Sequence, residues 1–273
     1  MASRVVKEKE IEPVAEATDE VAPEELLKES NTVATEFRES INEALSPRQT
    51  LPGFADPRME RVNGVELPPW FVDRCRRAYL SVPFDGAEEC RVLGVTSASY
   101  GEGKTSVAIG IATAMAVDSK KPTLLFECDF AVPTLHKFLG LDQGRGLGEW
   151  LDGDSRLRIV RGTALVPNVF MIPAGATQSE PARFFYELVD REVMVGLRQT
   201  FGNVVIDLPP TLHMSYVSLA CALADRLLVV ARSGVTPLED LETSIKLIGK
   251  DRVSGIVLNG TDYRTPRWLR ALL

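Results

Sequence analysis

The stretch Val92-Leu-Gly-Val-Thr-Ser-Ala-Ser-Tyr-Gly-Glu-Gly-Lys-Thr-Ser106 decides the fold. An apolar run suited to a buried strand enters a loop of small residues, passes Gly103-Lys104-Thr105, and continues into an apolar, alanine-rich segment at 104–117. Strand, glycine-rich turn and helix in this order are the context of a phosphate-binding loop of the pattern G-x-x-x-x-G-K-[ST]. Amides of Gly101, Glu102, Gly103, Lys104, Thr105 and Ser106 would face phosphate oxygens at the helix start. Lys104 adds a positive charge near the β and γ phosphates, and the Thr105 hydroxyl is placed as a ligand to Mg²⁺. Gly101 and Gly103 allow close backbone approach and positive φ. Ala98 stands where the pattern has its first glycine, and alanine still fits a tight loop.

Outward from this loop, two downstream apolar runs end in carboxylates. Thr123-Leu-Leu-Phe-Glu-Cys-Asp129 delivers Glu127 and Asp129, and Asn203-Val-Val-Ile-Asp-Leu-Pro-Pro210 delivers Asp207. Ligands of parallel sheets bind beyond the carboxyl ends of strands, where all three acids would sit. Mg²⁺ takes oxygen ligands, keeps several waters, and uses one or two carboxylates plus phosphate oxygens. Asp207 is read as the water-mediated metal contact. Asp129 is read as the group that orients or deprotonates the attacking nucleophile, with Glu127 as its helper or a second metal contact.

Uniformly apolar or β-branched runs recur at 91–96, 123–127, 169–173, 203–207, 226–231 and 255–259. Helical patterns at 72–82, 104–117, 181–199, 216–224 and 237–248 separate most of them. Runs apolar throughout suit strands covered on both faces, and strand–helix alternation implies an α/β fold with a mostly parallel twisted sheet flanked by helices, of the P-loop type.

The remaining sequence bounds the organisation. The chain has 273 residues and a net charge of -7. Residues 1–60 hold 14 acidic and 7 basic side chains, whereas residues 61–273 hold 24 of each. The whole surplus therefore belongs to the N-terminal part. An acidic balance excludes a protein built mainly to coat nucleic acid. Cys75, Cys90, Cys128 and Cys221 show no paired spacing, and His136 and His213 are the only histidines, so a structural zinc cluster is not expected. Residues 1–10 lack the apolar core of a secretory signal. The longest apolar stretch, 107–117, falls short of the roughly 20 residues a spanning helix needs. A cytoplasmic chain with free thiols and no direct transmembrane span is expected.

Two segments divide the chain. Residues 1–68 read as a largely disordered acidic extension carrying an amphipathic helix near 24–45, followed by a proline-rich linker; residues 69–273 read as one nucleotide-binding domain. The basic, apolar end at 264–273 suits packing of Trp268 and Leu269 onto the domain.

Residues 97–105, the segment 127–141 beginning Glu-Cys-Asp, Gly146-Leu-Gly-Glu-Trp-Leu-Asp-Gly153, Val169-Phe-Met-Ile-Pro-Ala-Gly-Ala176, Ile206-Asp-Leu-Pro-Pro210 and Val257-Leu-Asn-Gly-Thr-Asp262 occur in an order that resembles the bacterial tyrosine kinase family. That family lies within a larger group that includes the chromosome-partitioning and division-site ATPases. Those ATPases carry a lysine about where Ser99 stands, which favours the kinase branch. The resemblance implies ATP and Mg²⁺ as cofactors, Asn259 as the adenine contact, and a role in exopolysaccharide synthesis or export. It also implies homo-oligomers and a partner, the cytoplasmic part of a membrane chain-length regulator, that would recruit the chain to the inner face of the membrane. The chain departs from the family pattern at several places. Tyr100 replaces proline, Glu127 replaces aspartate, Ala131 and Val132 replace a basic pair, and residues 264–273 hold no tyrosine, leaving Tyr263 the nearest one. Two other readings therefore stay open: an ATPase switch controlling dimerisation or partner binding without protein phosphorylation, and a non-catalytic nucleotide-binding scaffold docking a membrane partner through residues 24–45.

Overall fold

The computed structural model describes residues 59–62, 66–84, 90–153, 157–162, 168–176, 180–190 and 193–261. The helix read at 24–45, the rest of the extension before residue 59, and Tyr263 with the basic C-terminal end lie outside the described residues.

The described strands are β1 (Met59–Val62), β2 (Arg91–Ser97), β3 (Thr123–Glu127), β4 (Ile159–Gly162), β5 (Val169–Ile172), β6 (Asn203–Asp207), β7 (Arg226–Arg232) and β8 (Val253–Asn259). They form one sheet in the order β1-β4-β5-β3-β6-β2-β7-β8. From β5 to β8 every neighbouring pair is parallel. Strand β4 runs antiparallel to β5, and β1 pairs in parallel with β4. The sheet is thus mostly parallel, as the uniformly apolar runs imply. Every residue of β3, β5 and β6 is buried, because helices cover both faces.

The covering helices are α1 (Pro69–Leu80), α2 (Lys104–Ser119), α3 (Leu135–Leu139), α4 (Leu147–Leu151), α5 (Pro181–Asp190), α6 (Val193–Thr200), α7 (Val217–Ala222) and α8 (Leu238–Ile248). Alternate residues along a strand point to opposite faces. Leu125 and Val205 accordingly join α1, α2 and α3 in one core, whereas Leu124, Phe126, Val204 and Ile206 join α4 to α8 in the other.

Three features differ from the sequence reading. Met59–Val62, read as linker, and Ile159–Gly162, read as no element, add two strands at one edge. Charged residues interrupt both short segments, Met59-Glu-Arg-Val62 and Ile159-Val-Arg-Gly162, so neither shows an apolar run, unlike the equally short Val169–Ile172. The single helix read at 181–199 is two helices, α5 and α6. Helices α3 and α4, five residues each, are too short to show a period.

Helix α2 is the spine under the site. Its residues 107–116 are all buried, since α1 covers one side and the sheet the other. Gly110 makes this layering fit: a Cβ there would lie 2.5 Å from Cys75 Sγ and 2.8 Å from Phe71 Cε1 of α1. Gly110→Val is expected to lower stability by about 2–3 kcal/mol through overpacking. Adding Cys75→Ala should recover part of that loss. Urea unfolding of the single and double variants checks this, and equal losses in both would show that the α1–α2 contact is not the cause.

Candidate nucleotide and phosphotransfer site

The loop after β2 forms because glycine is present where the backbone turns left-handed. Gly101 has φ 78° and Gly103 has φ 94°. Gly103 is the N-cap of α2, and no side chain caps the helix there. The first-turn amides therefore lack intrahelical partners and suit an anion. Gly103 is also required for space, as a Cβ would lie 2.1 Å from Asn259 Nδ2. Ala98, in the place of the pattern's first glycine, is fully buried.

The acids converge on Lys104 because of sheet register. Val95 of β2 lies opposite Asp207 of β6, and Asp207 lies opposite Glu127 of β3. Register partners point to the same face, so the Glu127 and Asp207 carboxyls are neighbours. Asp129 follows two residues past the strand end. Glu127, Asp129 and Asp207 are at most 1% exposed, and Lys104 is 7% exposed. Lys104 Nζ donates to Asp129 Oδ2 at 2.7 Å and lies 3.8 Å from Asp207 Oδ1. The other Asp129 oxygen accepts the Val132 N–H at 3.1 Å.

One ammonium thus faces three buried carboxyls, and the excess negative charge shows in the titration of the cluster. Burial and then Asp207 push Glu127 up to about 7, against backbone N–H donors that favour its charged form. Burial raises Asp207 above its ordinary value, with Lys104 pulling the other way. For Lys104, burial acts to lower the ammonium, but Asp207, Asp129 and Glu127 outweigh it and hold it above its usual value.

Both Asp207 oxygens are buried and neither makes a well-formed hydrogen bond, although Lys104 at 3.8 Å and the Thr105 hydroxyl are near enough to favour its charged form. An orphaned buried carboxylate beside a phosphate loop fits Mg²⁺, which would supply the missing positive charge. Thr105, next to Lys104 at the start of α2, places its hydroxyl 2.9 Å from that of Thr134. Among the described residues no three His, Cys, Asp or Glu side chains converge as a ligand set. Asp207 and Thr105 would therefore share the ion with phosphate oxygens rather than enclose it.

Three of these residues also make contacts that the sequence reading did not foresee. Glu127 Oε1 accepts the Thr134 and Leu135 N–H groups at 2.7 Å each, and Oε2 accepts the Ala174 N–H at 2.9 Å. The carboxyl read as catalytic helper is thus engaged in fixing the start of α3 and the exit of β5. The Glu102 side chain turns away from the phosphate cradle: one oxygen accepts the Ser99 N–H at 3.1 Å and the other meets the Thr236 hydroxyl. Asn259, read as the adenine contact, donates from Nδ2 to the Glu102 carbonyl at 2.9 Å. Ser106 sits half-buried in the first turn of α2. Sequence reading missed the contacts of Thr134, Arg232 and Thr236, and the tilted approach of Tyr100 to His213, whose ring centroids are 5.1 Å apart.

Together, the parallel sheet, the left-handed glycines and the lysine at the strand ends define a fold of the P-loop nucleoside-triphosphatase type. In sequence, the chain is similar to bacterial tyrosine kinases. It is 28% identical over 170 residues to the tyrosine-protein kinase wzc of Salmonella typhimurium, covering 62% of this chain and 24% of that protein. It is 27% identical over 185 residues to the tyrosine-protein kinase CpsD of Streptococcus pneumoniae, covering 66% and 81% respectively. It is 31% identical over 185 residues to the succinoglycan biosynthesis transport protein ExoP of Rhizobium meliloti, covering 64% and 23%. The chain therefore spans about a quarter of the length of wzc and of ExoP. No family model matches it. The fold is shared with the kinase domain of Escherichia coli tyrosine kinase ETK, at TM-score 0.64 and 21% identity over 80% of this chain and 86% of that one. It is also shared with the septum site-determining protein MinD complexed with Mg-ADP from Pyrococcus horikoshii, at TM-score 0.51 and 22% identity over 66% and 75%. Among the described residues no helix is long and apolar enough to cross a membrane.

The position of Glu127 near 7 has a measurable consequence. In the unfolded chain this carboxyl loses its proton near its ordinary value of 4.5, whereas in the folded chain it keeps it up to about 7. Stability of the free protein should therefore fall as pH rises through that window, because the folded state binds more protons there. In Glu127→Gln this part of the slope should vanish. Urea unfolding at several pH values between 4.5 and 7 checks it, and identical slopes in both proteins would contradict it.

Proposed function

We propose that the chain is an ATP- and Mg²⁺-dependent phosphotransferase of the bacterial protein-tyrosine kinase type, acting in exopolysaccharide synthesis or export. The observation that carries this reading is the buried Lys104 ammonium, shared between Asp129 and Asp207 at the mouth of an anion-ready loop. The names of wzc, CpsD and ExoP support the kinase and polysaccharide parts of it.

In this reading the 101–106 amides hold the phosphates of ATP, and Lys104 turns from Asp129 toward the β and γ phosphates. Asp207 and Thr105 would hold Mg²⁺, which would supply positive charge to the phosphates. Once Lys104 has turned, Asp129 is free to accept the proton of an acceptor hydroxyl. The tyrosyl oxygen bonds to the γ phosphorus as the bond to ADP breaks, and its proton passes to Asp129. Among the described residues Tyr100 and Tyr186 are exposed, whereas Tyr79 is buried. The work is done at the inner face of the membrane, where the cytoplasmic part of a chain-length regulator recruits the chain, with homo-oligomers bringing one copy's acceptor to another's site.

Purified chain incubated with γ-labelled ATP and Mg²⁺, with and without a cytoplasmic peptide of that regulator, should yield labelled phosphotyrosine. Lys104→Ala should reduce labelling by about 100-fold or more, as expected for loss of a charge aimed at the transferred group. Release of free phosphate without labelled protein would instead identify an ATPase switch. Activity unchanged in Lys104→Ala would refute both.

A further inference from the structure

The ends of β7 and β8 grip the phosphate loop from outside the nucleotide cradle. Asn259 Nδ2 donates to the Glu102 carbonyl at 2.9 Å, and Arg232 Nη1 donates to the Gly101 carbonyl at 3.1 Å. The Thr236 hydroxyl meets one oxygen of the Glu102 carboxyl and also accepts the Arg232 N–H at 2.7 Å. The other Glu102 oxygen accepts the Ser99 N–H at 3.1 Å, and Glu102 is 3% exposed. The gripping elements are themselves tied together. Arg232 and Asn259 are register partners, and the Ser233 N–H donates to the Asn259 carbonyl at 2.8 Å.

The consequence follows from peptide geometry. In a trans peptide the C=O of one residue and the N–H of the next point in opposite directions in one plane. A bond that pulls the Gly101 carbonyl outward therefore turns the Glu102 N–H the other way. A bond that pulls the Glu102 carbonyl outward does the same to the Gly103 N–H. Those two amides belong to the cradle that would meet phosphate. The Asn259 Oδ1 also accepts the Gly260 N–H at 2.9 Å, which helps hold its amide toward the loop.

We infer that Asn259, with Arg232 and Thr236, is a positioning residue: it latches the phosphate loop so that its amides point at phosphate before nucleotide arrives. The inference rests on the nucleotide-binding reading of this loop. It assigns Asn259 a part in phosphate affinity through the Glu102 carbonyl.

The test uses the full chain and Asn259→Asp, which sets a carboxylate oxygen against the Glu102 carbonyl, with Thr236→Val as a milder second variant that keeps side-chain shape. Two readouts are needed. The first is hydrogen exchange of the 101–105 amides without ligand, which should rise about tenfold in Asn259→Asp, and less in Thr236→Val, with β2 and β6 unchanged. The second is binding of inorganic tripolyphosphate, ADP and GDP, all three of which should weaken by the same factor, about tenfold. Unchanged loop exchange in both variants would overturn the latch. So would loss of ADP binding with tripolyphosphate binding intact, which would return Asn259 to a base contact. The exchange readout needs no nucleotide, so it decides the latch separately from whether the unaltered chain binds ADP, which is what the functional reading requires.

Discussion

One buried ammonium facing three buried carboxyls is the interaction on which the rest of this structure depends. Lys104, Glu127, Asp129 and Asp207 lie almost wholly out of water, where an uncompensated charge is costly and loss of one partner of a buried pair costs about 3–5 kcal/mol. Lys104 is pinned to Asp129 and lies near Asp207, while three backbone N–H groups satisfy Glu127. Asp207 alone keeps two oxygens without a hydrogen-bond partner. Burial above all, and repulsion among the acids after it, raises Glu127 and Asp207, and Lys104 alone does not offset this. A Mg²⁺–phosphate group entering the loop would bring the cation that Asp207 lacks and an anion to draw Lys104 from Asp129.

The fold exists to hold this cluster in register. Strands β2, β6 and β3 lie side by side, so their carboxyl ends bring the loop, Asp207 and Glu127 together. Helix α2 can start at the loop and run through the core only because its small residues fit beneath α1. Glu127 then couples the cluster to the start of α3, where Thr134 meets Thr105, and to the exit of β5. On the other side, Arg232, Thr236 and Asn259 reach the loop from the ends of β7 and β8. The loop therefore sits between two sets of contacts that converge from opposite halves of the sheet.

How much of this was legible in the sequence depended on distance along the chain. Residues 92–106 and the acid-ended runs at 123–129 and 203–207 were readable because each is one local pattern with one mechanism. The parallel strands were readable because burial on both faces makes them apolar throughout. Strands β1 and β4 were not, since Glu60, Arg61 and Arg161 break their short apolar runs. The work of Glu127 was hidden because its partners, at 134, 135 and 174, are set by packing rather than by spacing. Asn259 was noticed, but its bond to Glu102 spans 157 positions, and only the fold reveals that its amide faces the loop.

In the proposed reading Asp207, whose oxygens lack hydrogen bonds and whose nearest charge is Lys104 at 3.8 Å, awaits a cation that arrives with phosphate. Calorimetric titration of ADP into the unaltered chain and into Asp207→Asn, each with and without Mg²⁺, tests it most directly. Mg²⁺ should strengthen ADP binding to the unaltered chain by roughly tenfold or more and leave Asp207→Asn without that gain. An equal gain from Mg²⁺ in both proteins would contradict it.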